Sequence, residues 1–175
     1  MPALRSPAPV KLLAAVIWSR EDALQAALEA MQARWNDADH VGRDLPFDLT
    51  DYYEAEMGTR LFRRILGFSR LIPPDGLIEA KLAAIEIEEM LRGPTGRLVN
   101  IDPGYLDLHK LVLASGKGSG RMVYLGAGVH ADVVCRYERG RFIPFEWTFP
   151  DFRDERYHGD LHRMRALYKE SLSRG

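Results

Sequence analysis

Residues 97–147, RLVNIDPGYLDLHKLVLASGKGSGRMVYLGAGVHADVVCRYERGRFIPFEW, limit the possible folds more than any other part of the chain. The stretch reads as a run of antiparallel strands. Residues 109–115 (HKLVLAS) are apolar and rich in β-formers, and residues 121–125 (RMVYL) follow after the loop GKGSG. The next ten residues alternate. Val129, Ala131, Val133, Cys135 and Tyr137 fall on one face, and His130, Asp132, Val134, Arg136 and Glu138 on the other. Arg139-Gly140 predicts a tight hairpin connection, because glycine readily takes the positive φ that such a turn needs. Residues 141–147 form the return strand, and Pro144, which cannot donate to a ladder, places it at an edge.

Ahead of this run the chain alternates strand and helix. Residues 11–18 (KLLAAVIW) read as a buried strand. Ser19 is positioned to cap a following helix, with Asp22 completing a capping-box-like start. Leu24, Leu28, Met31 and Trp35 then recur at helical spacing, so residues 21–35 form an amphipathic helix. Residues 41–49 are expected to be extended. Thr50 would cap a short helical turn that Gly58 ends. Residues 61–72 are read as a strand stopped by Pro73-Pro74, and residues 75–92 as a helix broken by Gly93-Pro94-Thr95-Gly96. A last helix covers residues 155–172, with Tyr157, Leu161, Met164, Tyr168 and Leu172 on one side. The reading is an α+β domain over residues 10–173: a ferredoxin-like βαββαβ core extended by antiparallel hairpins and a C-terminal helix. Residues 1–9, with three prolines, form a flexible N-terminal tail.

Composition narrows the function classes. The net charge of −1 argues against a nucleic-acid partner, and the apolar run before Glu21 is too short to span a bilayer. The single cysteine, Cys135, rules out an intramolecular disulfide and fits a cytoplasmic setting. GxSxG, CxxC, HExxH and GxGxxG after a strand are all absent.

Several polar residues lack an obvious structural reason. In the helix over residues 75–92, Lys81 and Glu88 fall inside the apolar arc two turns apart, and buried charges need partners. In NIDPGYL, Pro103-Gly104 suits the centre of a type II turn that would project Asp102, flanked by Asn100 and Tyr105. The loop Gly116-Lys117-Gly118-Ser119-Gly120-Arg121 offers backbone N–H groups beside two cations, the elements of a phosphate cradle. It is not a Walker A motif, since Leu111 stands where the first glycine would be and no helix follows. His130 and Asp132 share a strand face with Arg136; such a row is more often the wet side of a sheet than a site. His158 and His162, four apart, lack a third metal ligand.

Five segments carry a family resemblance: residues 52–58 (YYEAEMG), 100–106 (NIDPGYL), 110–114 (KLVLA), 124–132 and 148–152 (TFPDF). Together they resemble the DUF4416 domain family, a bacterial family of unknown function whose members are sometimes labelled GTP-binding. The missing Walker A motif leaves that label without support in this chain. The family loop often reads like TKDxxHR; this chain keeps Lys117 and Arg121 without the acid and the histidine, and has phenylalanines in TFPDF where tyrosines are frequent.

Two functional expectations follow. The first is a small-molecule-binding protein or enzyme for a phosphate-bearing or other anionic ligand, with its site between the helix over residues 75–92 and the sheet. Lys81, Lys117 and Arg121 would hold the anion. Asp102 or Glu56 would act as acid/base or hold a divalent metal, and Glu88, Asn100, Tyr105, Lys110 and Asp132 would complete the site. No cofactor and no definite metal-ligand set is specified. The second is a noncatalytic interaction module, such as a homo-oligomer joined through a sheet edge or the C-terminal helix.

Overall fold

The strand β1 (Val10–Trp18) is buried at all nine positions, Lys11 included. Only a strand covered on both faces can read this way. Leu12, Ala14, Val16 and Trp18 pack against α1 (Glu21–Trp35) and α3 (Leu77–Met90), while Leu13 and Ala15 pack against α5 (His158–Arg174). Ile17 enters a smaller cluster with Phe47, Met57 and Leu61 beneath the one-turn helix α2 (Glu54–Met57). The computed structural model describes residues 3–174, and in it a nine-stranded antiparallel sheet lies between these helical layers.

The remaining strands are β2 (Ala38–Val41), β3 (Leu45–Pro46), β4 (Phe62–Ile72), β5 (Val99–Leu106), β6 (Lys110–Ser115), β7 (Val123–Gly126), β8 (Val129–Glu138) and β9 (Arg141–Pro144). Their order is β2-β4-β1-β5-β6-β8-β7, with β3 on β4 and β9 on β8. A fifth helix, α4 (Pro150–Arg153), precedes α5. No helix among the described residues is long and apolar enough to cross a membrane.

Local details depart from the sequence reading. The α1 N-cap is Arg20, without a side-chain cap, so Ser19 does not play that part. The α2 N-cap is Tyr53, while the Thr50 hydroxyl accepts from the Tyr52 N–H. Residues 41–49 are extended only in short pieces, β2 and β3. The alternation in β8 breaks at Val134: Leu111 pairs Cys135 but Val112 pairs Val133, a β-bulge. Val129, Ala131 and Val133 therefore face α3 with Leu77, whereas Cys135 and Tyr137 face α5. The Arg139-Gly140 hairpin matches expectation, with φ of 50° and 82°.

The largest departure is at Pro103-Gly104, which is strand and not a turn. Tertiary pairing overrides the local turn chemistry. All of β5 pairs with β1, but its ladder to β6 is confined to Gly104–Leu106. Gly104 permits the close approach, since a Cβ there would stand 2.3 Å from the Val112 carbonyl oxygen. Pro103, with no N–H, sits where that ladder stops. Beyond it β5 and β6 splay apart, while β6 continues on β8 through Ser115–His130.

Candidate functional site

The splay leaves the outer backbone edge of β5 open at residues 99–103, and α3 covers it. Leu77, Lys81, Ala84 and Glu88 form one buried stripe of α3. The Lys81 ammonium donates to the Ile101 carbonyl at 3.0 Å and to Asp102 Oδ1 at 3.1 Å. Glu88 Oε1 accepts the Ile101 N–H at 2.6 Å. Two side chains, two turns apart, thus bond both backbone groups of a residue whose neighbouring strand has turned away. Burial pushes the Glu88 carboxyl up; the Ile101 hydrogen bond and the Lys81 charge oppose it.

Arg97 ties this edge to α2. Its guanidinium forks onto Glu56 with contacts of 2.8 to 3.1 Å, donates to Asn100 Oδ1 at 2.8 Å, and lies 3.5 Å from Glu88. Asn100 in turn donates to Asp102 Oδ2 at 2.9 Å. Hydrogen bonding to Arg97 holds the Glu56 carboxyl below its usual range. Gly96, at φ +147°, leaves room for Glu56: a Cβ there would fall 2.4 Å from Glu56 Cγ. Beside the group, the Tyr53 hydroxyl is pushed up to about 12, first by burial and then by the Asp102 charge. Behind it, Arg63 is buried in an ion pair with Asp151, beneath the rings of Phe47 and Phe152, and Tyr157 donates to Asp151 at 3.1 Å.

Glu56, Lys81, Glu88, Asn100 and Asp102, all anticipated from the sequence, therefore meet in one network. Arg97 was not anticipated. Arg97 follows the GPTG break, where no periodicity marks it, and its partner Glu56 is 41 residues away. Tyr105 and Lys110 lie elsewhere, at the far end of the β5–β6 hairpin. There Lys110 pairs with Asp107 and sits 5.9 Å above the Tyr105 ring.

Lys117, Arg121 and Asp132 form a second group across the splay. Lys117 Nζ stands 3.8 Å above the Tyr52 ring, and Tyr52 contacts Tyr53 at 4.9 Å between centroids, which links the two groups. Arg121 lies 3.5 Å from Asp132 Oδ2. The β8 register sets Asp132 against Leu113 and His130 against Ser115. Among the described residues no three His, Cys, Asp or Glu side chains are placed to share a metal ion. A separate groove of about 400 Å³ opens at the far end of α3, lined by Arg34, Trp35, Arg70, Ile72 and Glu79.

The model of one family, described as Domain of unknown function (DUF4416), matches residues 8–168. The chain belongs to that family. No curated protein and no solved structure matches it. The segments YYEAEMG and NIDPGYL, which carry the resemblance, supply Tyr52, Tyr53, Glu56, Asn100 and Asp102 to the two groups.

Proposed function

We propose that this DUF4416 protein binds a phosphate-bearing or other anionic small molecule, as a binding protein or an enzyme, at the splay between β5 and β6. The observation that supports this is the convergence of charged side chains on that gap from α2, α3, β5, β8 and the loop after β6. Roles divide by partnering. Lys81, Glu88, Asn100 and Arg97 fix the β5 edge and orient Asp102. Lys117 and Arg121 are the cations left to meet an anion. Asp102 is the better acid/base candidate, because each of its oxygens takes a single hydrogen bond whereas Glu56 takes four contacts from Arg97.

Two finer readings belong here. The order β2-β4-β1-β5, with α1 and α3 on one face, supports a ferredoxin-like core extended by β6–β9. The buried Cys135 thiol, pushed up to about 12 by burial, suits a cytoplasmic protein with no disulfide to make.

The test is a thermal-shift series with phosphate esters on the wild type and on Lys117→Ala/Arg121→Ala. A ligand that binds the folded state raises Tm in proportion to RT ln(1 + [L]/Kd). A rise in the wild type that the double variant loses supports the reading; no rise with any anion removes it. A second reading, homo-oligomerisation, is favoured by Leu82 and Ile85 of α3 and by Val123 and Tyr124 of edge strand β7, all exposed. A concentration-dependent mass in light scattering would support it.

A further inference from the structure

Asp132 is only 4% exposed, yet its carboxylate is poorly partnered. Oδ2 has Arg121 at 3.5 Å, well beyond a charge-assisted hydrogen bond of about 2.8 Å. Oδ1 is sealed from solvent with no hydrogen-bond partner among the described residues, and so is Nδ1 of His130, two residues away on the same strand face. Buried polar atoms left unmet are rare and costly, and each calls for an explanation. Burial, opposed by Arg121, holds the Asp132 carboxyl above its ordinary value.

Two elements lie against His130: the Tyr124 ring, at 5.1 Å between centroids, and the glycine loop after β6. Gly118 lies directly on the imidazole: a Cβ there would stand 2.7 Å from His130 Nε2. With any other residue there, either the loop or the imidazole would have to shift. At Gly116 and Gly120 a Cβ would meet nothing within 4 Å, and neither residue is in the left-handed region. The closed loop has no steric need for those two glycines, whereas a loop that swings open gains freedom from them. The fastenings are light: Lys117 over Tyr52, Arg121 at 3.5 Å from Asp132, and a local exchange in which Ser115 Oγ accepts from the Lys117 N–H and donates to its carbonyl.

Resting on the anion-site reading above, we propose that residues 116–121 are a cover that opens, and that the ligand beneath it is a phosphorylated polyol. Its phosphate meets Lys117 and Arg121, and its hydroxyls meet Asp132 Oδ1 and His130 Nδ1. The chemistry selects among ligand classes. A carboxylate with an empty acceptor wants a donor, and a bare phosphate brings its hydroxyl only together with a charge that the carboxylate repels. An ammonium group would donate to Asp132 but sit against Arg121 and Lys117. A metal ion would find two protein ligands and two neighbouring cations. A hydroxyl pair donates to the carboxylate and either donates to or accepts from the imidazole, whichever tautomer it holds.

The experiment is titration calorimetry of the full chain with pentose and hexose phosphates, inorganic phosphate and the unphosphorylated sugars, on the wild type, Asp132→Asn and Gly118→Ala. The expected result is binding of at least one sugar phosphate at least tenfold tighter than either inorganic phosphate or the free sugar. Asp132→Asn should weaken that ligand at least tenfold while raising the Tm of the unliganded protein. Phosphate binding as tightly as its esters, with Asp132→Asn neutral, overturns the polyol assignment and leaves the anion site standing. No binding of any anion overturns both. Hydrogen exchange on the wild type needs no variant: the sugar phosphate should change protection of residues 116–121, and an unchanged loop overturns the cover.

Discussion

The two charged groups flanking the splay differ in how far their hydrogen bonds are met. On the α3 side, Lys81, Glu88, Arg97, Asn100 and Asp102 each have a partner, and two of those partners are the backbone groups of Ile101. On the loop side, Asp132 and His130 each keep a buried atom with none. Lys81, Glu88 and Asn100 on the first side and Asp132 on the second are buried, and both groups sit where β5 and β6 part. A buried charge that hydrogen-bonds the open backbone edge acts as part of the frame, because it replaces the strand that is not there. A buried charge left short is a cost that the fold carries without structural return, and such costs gather at sites. Lys11 belongs with the first kind: its ammonium holds both Asp39 oxygens and the Phe68 carbonyl, at 2.7 to 2.8 Å.

The sharpest way to break this contrast is Glu88→Ala. It strips the acceptor from the Ile101 N–H and one carboxylate from Arg97, so the loss should be about 3 kcal/mol, as for other broken buried pairs. Chemical denaturation measures it. Glu88→Gln keeps an acceptor and should lose much less. A loss under about 1 kcal/mol for the alanine variant would mean that the α3 charges are not frame at all. Gly118→Ala should come next, near 1 kcal/mol. The methyl group forces either the loop or the His130 ring to shift, and overpacking of this kind costs on that order. Because the loop can lift, faster proteolysis at residues 116–121 should accompany the loss. A fully stable variant with an unchanged cleavage rate would show that the loop does not rest on His130.

Much of the frame was legible in the chain because periodicity reports burial. The bounds of α1 came directly from leucine spacing, and Lys81 and Glu88 showed themselves as charges inside an apolar arc. Pro103-Gly104 misled because turn chemistry is local, whereas the strand state there is imposed by β1 from 89 residues earlier. The faces of β8 were right as far as Val134 and inverted from Cys135 on, since one bulged residue moves every later side chain across the sheet. The loop-side group was least legible. Alternation placed His130 and Asp132 on one face, but whether a carboxylate finds its donors depends on where β7 and the loop come to rest.

Asp132→Asn sharpens the contrast from the other side. Burial raises this carboxyl in the folded protein, so the folded state binds the proton more tightly than the unfolded chain does. The ionised form therefore costs stability at neutral pH, and the cost is relieved as pH falls from the raised folded value toward the ordinary one. Asparagine removes the charge. The variant should gain about 1 kcal/mol at neutral pH, and the gain should vanish once the wild-type carboxyl is protonated. Urea melts at neutral and mildly acidic pH check both the sign and the window. A destabilised variant at neutral pH would place Asp132 with the saturated group.

Lys117→Ala should have the smallest effect on the fold. Its ammonium is exposed and its clearest contact is the Tyr52 face, itself exposed, a pairing worth about 0.5 kcal/mol. The same cation is one of only two assigned to the anion, so its removal should weaken an anionic ligand far more than it weakens the protein. Denaturation and calorimetry on this one variant separate the two roles. A stability loss as large as that of Glu88→Ala would make the loop a structural strap, and the difference between the two sides of the splay would disappear.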